Sequence, residues 1–385
     1  MKKIIIIIIG FFLLTVVESE AQKPTGNDDI IRVDVRNSYS NSKELLLQNL
    51  MDVEYIPLET NDDFVNQGVV MDIGKEIILV KNRINDGDIF VYSRTGKALR
   101  KINRKGQGGE EYLYIYNIIL DEAMGEMFVN DVFKRKIFVY DLYGKFKRSF
   151  DHKKDEKSGA YSDIINFNEE NLICYDDDNE EFPFVLISKK DGVITQKFKI
   201  PFKTKKFLRQ STGSDSFVYP VGHINYIFPF KGNWILSELS SDTVYLLLPD
   251  LSLRPFFFRN PPIQSMNPEV FLLLRFLSDR YLFMETIRNV YDSKTTFPKT
   301  FFVYDVQEKS FLNYKIYNED YSTKKEIFLN LFRPLNHEIE AWQPLEPYIL
   351  VEEYKKGILK GKLKEVAEKL DSEDNPVIML VKHKK

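Results

Sequence analysis

The residues best suited to chemistry lie in a glycine-rich stretch, residues 104–112, which reads Arg-Lys-Gly-Gln-Gly-Gly-Glu-Glu-Tyr. Glycine-rich loops bind phosphate when their backbone N–H groups converge and a helix follows. Here a Gly-Lys-Ser/Thr motif is missing, and the apolar segment from Tyr112 to Leu120 reads as a strand. We interpret the stretch as a connection between two sheets, whose glycines allow close approach of the backbone. Its polar residues are candidates for ligand binding: Arg104, Gln107, Glu111 and Tyr112.

The four histidines give little support for a metal or catalytic site. None of them belongs to the His-Glu-x-x-His or His-x-His patterns that bind zinc. His223 and Tyr226 lie in one run, and we predict that both contribute to ligand binding. A lone histidine in such a run is also typical of a surface or satisfied core residue. We predict no catalytic residue, no metal and no cofactor.

An acidic run at residues 176–181, Asp-Asp-Asp-Asn-Glu-Glu, has ligands of the kind that Ca²⁺ prefers. It lacks the Asp-x-Asp-x-Asp-Gly spacing and the distal glutamate of a calcium loop, so a solvated hairpin loop is favoured. Neither a Gly-x-Ser-x-Gly nor a Cys-x-x-Cys motif occurs.

The charge balance argues against a nucleic-acid partner. The chain has 54 Lys and Arg against 57 Asp and Glu, a net charge of −3, so no global field would attract nucleic acid. The 30 phenylalanines and 21 tyrosines favour β-structure. The only cysteine, Cys174, excludes an intramolecular disulfide and is expected in the core.

The N-terminus predicts export. Two lysines precede an apolar run, Ile4 to Val17, which is too short to span a bilayer comfortably. Small residues then stand at −3 and −1 of a cleavage site before Gln22. We predict a signal peptide over residues 1–21 and a periplasmic or extracellular domain over residues 22–385, with no integral membrane segment after cleavage. An N-terminal lipid anchor is not expected, because no cysteine lies near the boundary. An uncleaved anchor or a buried N-terminal strand is the alternative.

Internal repeats are the strongest architectural signal. Residues 88–102 and 136–150 share an aromatic-Val-Tyr strand, a Gly-Lys turn and an alternating basic and apolar strand. Further copies follow at residues 183–200, 242–258 and 300–316. A strand pair precedes each copy, so each repeat holds about four strands over roughly 40 to 60 residues, which is typical of a β-propeller.

We predict an all-β fold, a six-bladed β-propeller of four-stranded antiparallel blades. One four-stranded sheet has two apolar faces that it cannot bury alone, and a closed ring of such sheets buries both. An array of β-sandwiches is the alternative. Residues 270–283 read as two buried strands, residues 355–370 as a short amphipathic helix, and residues 377–381 as a last strand.

Several motifs together resemble the six-bladed β-propeller proteins of gut Bacteroidetes, which are related in form to NHL-repeat propellers. The turn Gly96-Lys97 is followed by a Gly-x-Gly-Pro-Gly-Glu-Tyr-like loop, in which Gly109 stands where proline is usual. The other matching motifs are Ser-Asp-Thr-Val-Tyr at 241–245, Trp-Gln-Pro at 342–344 and Asp-Asn-Pro-Val at 374–377. The resemblance implies that an N-terminal strand near Val53 to Leu58 completes the blade that carries the C-terminal strands. The family has no settled activity, and many of its members resemble lipoproteins.

The function that fits these features is a binding module without catalysis, with a protein, peptide or glycan held at the central funnel. The alternative is a propeller hydrolase or lyase, since fold alone does not decide function. An enzyme would need two or more His, Asp or Glu side chains converging near the axis.

Overall fold

The first four strands of the described residues are short and belong to four different sheets. The computed structural model describes residues 17–20, 30–152, 160–213, 216–220, 222, 224–294, 296–329 and 334–384. The first elements are β1 (Val17–Glu20), β2 (Ile31–Asp34), β3 (Ser42–Leu46), the single-turn helix α1 (Leu47–Leu50) and β4 (Asp52–Pro57).

Five four-stranded antiparallel meanders follow, as the repeats predict. The first blade holds β5 (Val69–Ile73), β6 (Ile77–Lys81), β7 (Asp88–Ser93) and β8 (Ala98–Asn103), and the second β9 (Asn117–Asp121), β10 (Glu126–Asp131), β11 (Lys136–Asp141) and β12 (Phe146–Asp151). The third holds β13 (Asp163–Asn166), β14 (Asn171–Tyr175), β15 (Phe184–Ser188) and β16 (Ile194–Lys199). After a hairpin of β17 (Gln210–Gly213) and β18 (Ser216–Val218), the fourth holds β19 (Ile227–Phe230), β20 (Asn233–Leu236), β21 (Thr243–Leu247) and β22 (Leu253–Asn260). After a 3₁₀ turn (Ile263–Ser265), the fifth holds β23 (Val270–Leu277), β24 (Tyr281–Arg288), β25 (Lys299–Asp305) and β26 (Ser310–Tyr317).

The sixth blade joins the two ends of the chain. The strands β27 (Ile339–Leu345), β28 (Val377–Lys382) and β4 pair antiparallel in that order. Before β27, the Leu335 N–H donates to the Ile339 carbonyl at 3.1 Å, as Gly74 donates to Ile77 at 2.9 Å between the first two strands of the first blade. We therefore assign β27 to the second position of the blade, β28 to the third and β4 to the outermost one. The N-terminal strand predicted near Val53 does close the ring, as the resemblance implies.

Each blade buries both of its faces, because successive side chains of a strand point to opposite sides of the sheet. In β7, Ile89 and Val91 pack into the core shared with the second blade. Phe90 and Tyr92 pack into the core shared with the sixth. This alternation is the physical reason for the closed ring: removing one blade would expose two apolar faces to water.

The N-terminal segment forms a belt around the outside of the ring, which the sequence did not predict. β1, β2 and β3 pair in parallel with the outermost strands of the third, fourth and fifth blades: β16, β22 and β26. The belt covers edge N–H and C=O groups that would otherwise invite pairing with another chain. Among the described residues, the outermost strands β8 and β12 have no such cover and carry exposed Lys101 and Lys147, a common protection of edges. β1 falls within the predicted signal peptide, whose cleavage stays a prediction.

In the first three blades, a turn glycine lies close against the preceding blade. Gly96, Gly144 and Gly192 sit between the third and fourth strands of their blades with φ of 86°, 84° and 75°. A Cβ at these positions would lie 2.1 Å from the Pro57 carbonyl oxygen, 2.6 Å from Ile102 and 2.3 Å from a Phe150 ring atom, respectively. The repeated Gly thus meets two demands at once, a left-handed backbone and contact with the outermost strand of the preceding blade.

Two short helices lie between β27 and β28, where the sequence predicted one helix over residues 355–370. They are α2 (Pro347–Lys355) and α3 (Gly361–Ala367). Gly357 and Gly361 interrupt the pattern, because both take positive φ, 69° and 49°. Leu363 and Ala367 of α3 pack into the core of the sixth blade, so the apolar spacing was read correctly and the extent of the helix was wrong. No helix in the described part of the chain is long and apolar enough to cross a membrane.

Candidate functional site

Strand alternation gives the ring two faces with different chemistry. The turns between first and second strands, and between third and fourth strands, emerge on one side, which we call the hairpin face. The loops between second and third strands and the connections between blades emerge on the opposite side, the crossover face. The predicted ligand-binding residues that the structure describes all belong to connections between blades.

The glycine-rich connection between the first two blades folds around the side chain of Lys134. The ammonium of Lys134, from the loop between β10 and β11, donates to the carbonyls of Gly106, Gly108 and Glu111 at 3.2, 3.1 and 2.6 Å. The Glu111 carboxylate accepts the Gly108 N–H at 2.8 Å, and a Cβ on Gly106 would lie 2.0 Å from a Glu111 oxygen. The loop turns carbonyl oxygens toward Lys134, so its glycine spacing has an explanation that needs no phosphate.

Tyr112 ends this connection as a buried anchor. Its hydroxyl donates to the Gly87 carbonyl at 2.6 Å and accepts the backbone N–H of Arg104 at 2.9 Å. Burial raises the pKa of the Tyr112 phenol well above its ordinary value. Gln107 is exposed and Arg104 is half-buried. The structure thus brings the predicted residues of this loop together, and their role in ligand binding stays a prediction.

The second predicted pair was His223 and Tyr226. His223 lies outside the described residues. Tyr226 precedes β19 and stacks on Tyr175, with ring centroids 3.8 Å apart and an interplanar angle of 14°. The Tyr175 hydroxyl and the Lys205 ammonium both donate to one oxygen of Glu238, at 2.9 and 2.7 Å. Tyr226 therefore covers a buried polar cluster at the crossover end of an innermost strand, and burial raises the pKa of its phenol.

Exposed apolar side chains are concentrated on the crossover face. Phe133 is 69% exposed and Ile84 67% exposed, in the second-to-third strand loops of neighbouring blades. Among the described residues, the other exposed large apolar side chains on this face are Val65, Tyr116, Phe207, Phe217, Tyr219, Val290, Tyr291, Phe328 and Tyr348. The hairpin face has fewer: Met124, Tyr143, Val193 and Val306. Among the described residues, the crossover face therefore has more exposed apolar side chains that could contact a partner than the hairpin face has.

The hairpin face instead has a charged cleft of about 800 Å³ beside the central axis. Glu54 of β4 accepts two bonds from Arg94, at 3.1 and 3.0 Å, and one from Lys382 at 2.8 Å. Glu122 accepts the backbone N–H groups of residues 75–77 at 2.7, 2.9 and 3.0 Å. The first set joins both chain ends to the first blade, and the second joins the second blade to the first. The charges that line this cleft thus hold the ring closed.

Two histidines and a glutamate come close at this hairpin end. Glu340 is buried, accepts the Leu277 N–H at 2.6 Å, and forms an ion pair with His383 at 3.3 Å. Burial raises the pKa of Glu340, and the bond to Glu340 raises the pKa of His383. His337 packs edge-on against Trp234, with ring centroids 4.7 Å apart, and burial lowers its pKa. The sequence offered no signal for this meeting, since the residues come from separate strands and turns.

The acidic run forms the loop between β14 and β15. One carboxylate oxygen each of Asp176, Asp177 and Asp178 lies within 4.8 Å of the others. Burial raises the pKa of Asp177. Their oxygens are the kind of donor a hard cation takes.

Comparison with protein families assigns most of the chain to one domain family. A family model described as a domain of unknown function, DUF4934, matches residues 30–382. The chain belongs to the DUF4934 family. No curated protein matches it. The matched range covers the belt strands β2 and β3, all six blades and both C-terminal helices, whereas β1 lies before it.

Solved structures show the fold. A Bacteroides fragilis protein described as exported matches with a TM-score of 0.55 and 16% identity, over 96% of this chain and 100% of that chain. A DUF4221 family member from Bacteroides vulgatus gives a TM-score of 0.46 at 8% identity, over 86% of this chain and 96% of that chain. Staphylococcus aureus virginiamycin B lyase gives 0.37 at 9% identity, over 76% and 92%. The first match supports the fold of the DUF4934 domain, and the other two carry no argument.

Proposed function

We propose that this DUF4934 protein is an exported, non-catalytic binding module that holds a segment of a partner protein on its crossover face. The observation that carries the proposal is the unequal distribution of exposed apolar side chains between the two faces. Burial of such side chains is the main driving force of protein association. Loops on a rigid scaffold are also where binding residues are most often found.

The predicted residues of the glycine-rich connection fit this proposal. Arg104, Gln107 and Glu111 lie on the same face as Phe133, the aromatic residue next to Lys134 in sequence. Phe133 packs edge-on against Tyr114 with ring centroids 4.8 Å apart, so its ring is held in place while it stays exposed. An aromatic anchor held in position loses less entropy on binding.

The proposal includes the cellular location of the protein. We infer that residues 1–21 direct export to the periplasm or beyond it, without an N-terminal lipid, and that the domain is one of the NHL-like propellers of Bacteroidetes. The basic and apolar N-terminus and the exported Bacteroides fragilis relative support this inference. N-terminal sequencing of the secreted protein should start at Gln22, and a start at Met1 would contradict it.

A hydrolase or lyase is the second candidate, favoured by one observation, the meeting of His383, Glu340 and His337 on the hairpin face. The Glu340 oxygens are already engaged, one by a backbone N–H and one by His383. If a stoichiometric metal co-purifies with the protein and is lost in the His383→Ala variant, the enzyme candidate replaces the binding module.

The binding proposal is tested with a random dodecapeptide library displayed on phage, selected on the purified protein. Selected peptides are resynthesised, and their affinities are measured by fluorescence anisotropy. We expect Phe133→Ser to weaken binding about tenfold or more, while the control Tyr143→Ser on the hairpin face leaves it unchanged. The pair is matched, because Tyr143 is 77% exposed and Phe133 69%. Peptides that bind both variants like the unaltered protein would overturn the proposal.

A further inference from the structure

We propose that Arg209 forms a carboxylate-binding subsite on the crossover face, and that it takes an Asp or Glu side chain of the partner segment. This inference rests on the proposed function and gives it a partner chemistry. The subsite lies at the hairpin of β17 and β18, in the long connection between the third and fourth blades.

The Arg209 guanidinium is held between two aromatic rings. Its central carbon lies 4.5 Å from the centroid of Phe207 and 4.3 Å from that of Phe217. These rings are 39% and 44% exposed, so the stack borders solvent. Stacking on aromatic faces leaves the edge of the guanidinium, with its N–H donors, directed away from the rings. That edge has the geometry that binds a carboxylate through two parallel hydrogen bonds.

The N–H donors of the Arg209 guanidinium have no partner in the described part of the chain. No carboxylate or carbonyl among those residues accepts a hydrogen bond from them. Other arginines of the ring differ. Arg94 makes two hydrogen bonds to Glu54, and Arg148 makes two to Glu126, at 2.9 and 2.7 Å. Arg209 is held in position by its two rings, but among the described residues it lacks a carboxylate like those that Arg94 and Arg148 have.

The surroundings add positive charge. The sequence between Asp191 and Asp215 has no acidic residue, and its basic residues are Lys197, Lys199, Lys203, Lys205, Lys206 and Arg209. Two of these charges are neutralised within the fold, since Lys205 pairs with Glu238 and Lys206 pairs with Glu269, each at 2.7 Å. Arg209 and the exposed Lys203 are the two basic side chains of this connection that have no carboxylate partner among the described residues, and such charges complement an acidic segment.

The connection is also fixed in place. Gln210 donates to the Asn289 carbonyl at 2.9 Å, and the Asn289 side chain donates to the Phe207 carbonyl at 3.2 Å. Asn289 follows β24 of the fifth blade, so the connection extends from the third blade to the fifth. Such anchoring holds the guanidinium in position before a ligand arrives, which lowers the entropy lost on binding.

The neighbouring surface favours a peptide over an acidic sugar. Val290 and Tyr291 are exposed next to Asn289, and Ile84 is exposed elsewhere on the same face. Sugars pack on aromatic faces, whereas aliphatic side chains such as Val290 and Ile84 are suited to apolar side chains of a polypeptide. We therefore commit to a partner segment that combines acidic and apolar residues.

The test uses the library-selected dodecapeptides. We expect them to be enriched in Asp or Glu, and replacement of one such residue by Asn or Gln to weaken binding about tenfold. In the Arg209→Ala variant the acidic and amide peptides should bind equally. Arg209→Lys keeps the positive charge but loses the planar pair of N–H donors that can bind both carboxylate oxygens. Its affinity for the acidic peptide should therefore lie between those of Arg209→Ala and the unaltered protein. Arg254→Ala, which removes an exposed arginine from β22, is the control and should change nothing.

Peptides without acidic residues, or an acidic-to-amide difference that persists in Arg209→Ala, would overturn the subsite. Binding of trigalacturonic acid that needs Arg209, with no acidic peptide that does, would also overturn it in favour of an acidic glycan. In these cases, a loss of peptide binding in Phe133→Ser would leave the proposed function standing. Circular dichroism melting of each variant confirms that the fold is retained.

Discussion

Glu122 and Phe133 show how differently the two faces of the ring use their side chains. On the hairpin face, the Glu122 carboxylate accepts hydrogen bonds from three backbone N–H groups of the preceding blade. On the crossover face, Phe133 is left 69% exposed, with Tyr114 holding its ring. Nothing about closing the ring requires an exposed aromatic residue there. The contrast shows that charged groups of the hairpin face join neighbouring blades, and it supports the proposal that the crossover face binds a partner.

The largest loss of stability is expected from removal of residues 376–385, which include β28. Its side chains from Val377 to Val381 are at most 2% exposed. Burial of five apolar side chains is worth on the order of 10 kcal/mol, comparable with the whole stability of a domain. We expect the cooperative melting transition to disappear in differential scanning calorimetry. Removing only Lys384 and Lys385 is the control, and an unchanged melting temperature in the longer truncation would contradict the closure described here.

A smaller effect is expected from a single methyl group at a hairpin turn. Gly96→Ala places a Cβ 2.1 Å from the Pro57 carbonyl oxygen at a φ of 86°, and should cost about 2–4 kcal/mol of unfolding free energy. Gly109→Ala in the crossover loop is the matched control. No atom lies within 4 Å of its added Cβ, so the cost should be below about 1 kcal/mol. Urea denaturation measures both; equal costs would remove the distinction between the two loops.

The ion pair of His383 and Glu340 should contribute less and depend on pH. His383→Ala leaves a buried carboxylate without its partner, and we expect a cost of about 1–3 kcal/mol at pH 6. The pKa of His383 is raised in the folded state, so its contribution is present below the unfolded pKa and is lost as pH rises through the folded pKa. Glu340 is present in both proteins, and its raised pKa lowers the stability of both as pH rises. The difference between the two proteins should therefore shrink at pH 9, and a difference that grows would refute this assignment.

The smallest stability effect is expected on the crossover face itself. Phe133→Ser and Tyr143→Ser should each change the unfolding free energy by less than about 1 kcal/mol, because both side chains are mainly in water. Each loses one contact, Phe133 with Tyr114 and Tyr143 with the Arg100 guanidinium 4.3 Å from its ring. A loss of several kcal/mol in Phe133→Ser would mean that this residue is structural.

The sequence predicted those features that repeat along the chain. The strand with Ile89, Phe90 and Val91 recurs as Ile137, Phe138 and Val139, and both have alternate residues in two different cores. Closure by β4 followed from the family resemblance. Such elements are local, and their apolar spacing carries the information.

What the sequence did not predict depends on contacts between distant segments. The strand β3 is a short, mostly polar edge strand, and its pairing with β26 joins residues far apart in the chain. Helix α3 begins later than predicted because Gly357 and Gly361, which precede and start it, take positive φ. The Lys134 contacts with the glycine loop, and the aromatic stack around Arg209, also need a folded ring to bring them together.

Hydrogen–deuterium exchange with and without a selected dodecapeptide tests the division of the two faces most directly. We predict slower exchange of backbone amides in the crossover loops, at residues 131–136 and 207–211. The hairpin turns at residues 74–76 and 122–125 should keep their exchange rates. Protection confined to the hairpin turns, with the crossover loops unchanged, would contradict the account.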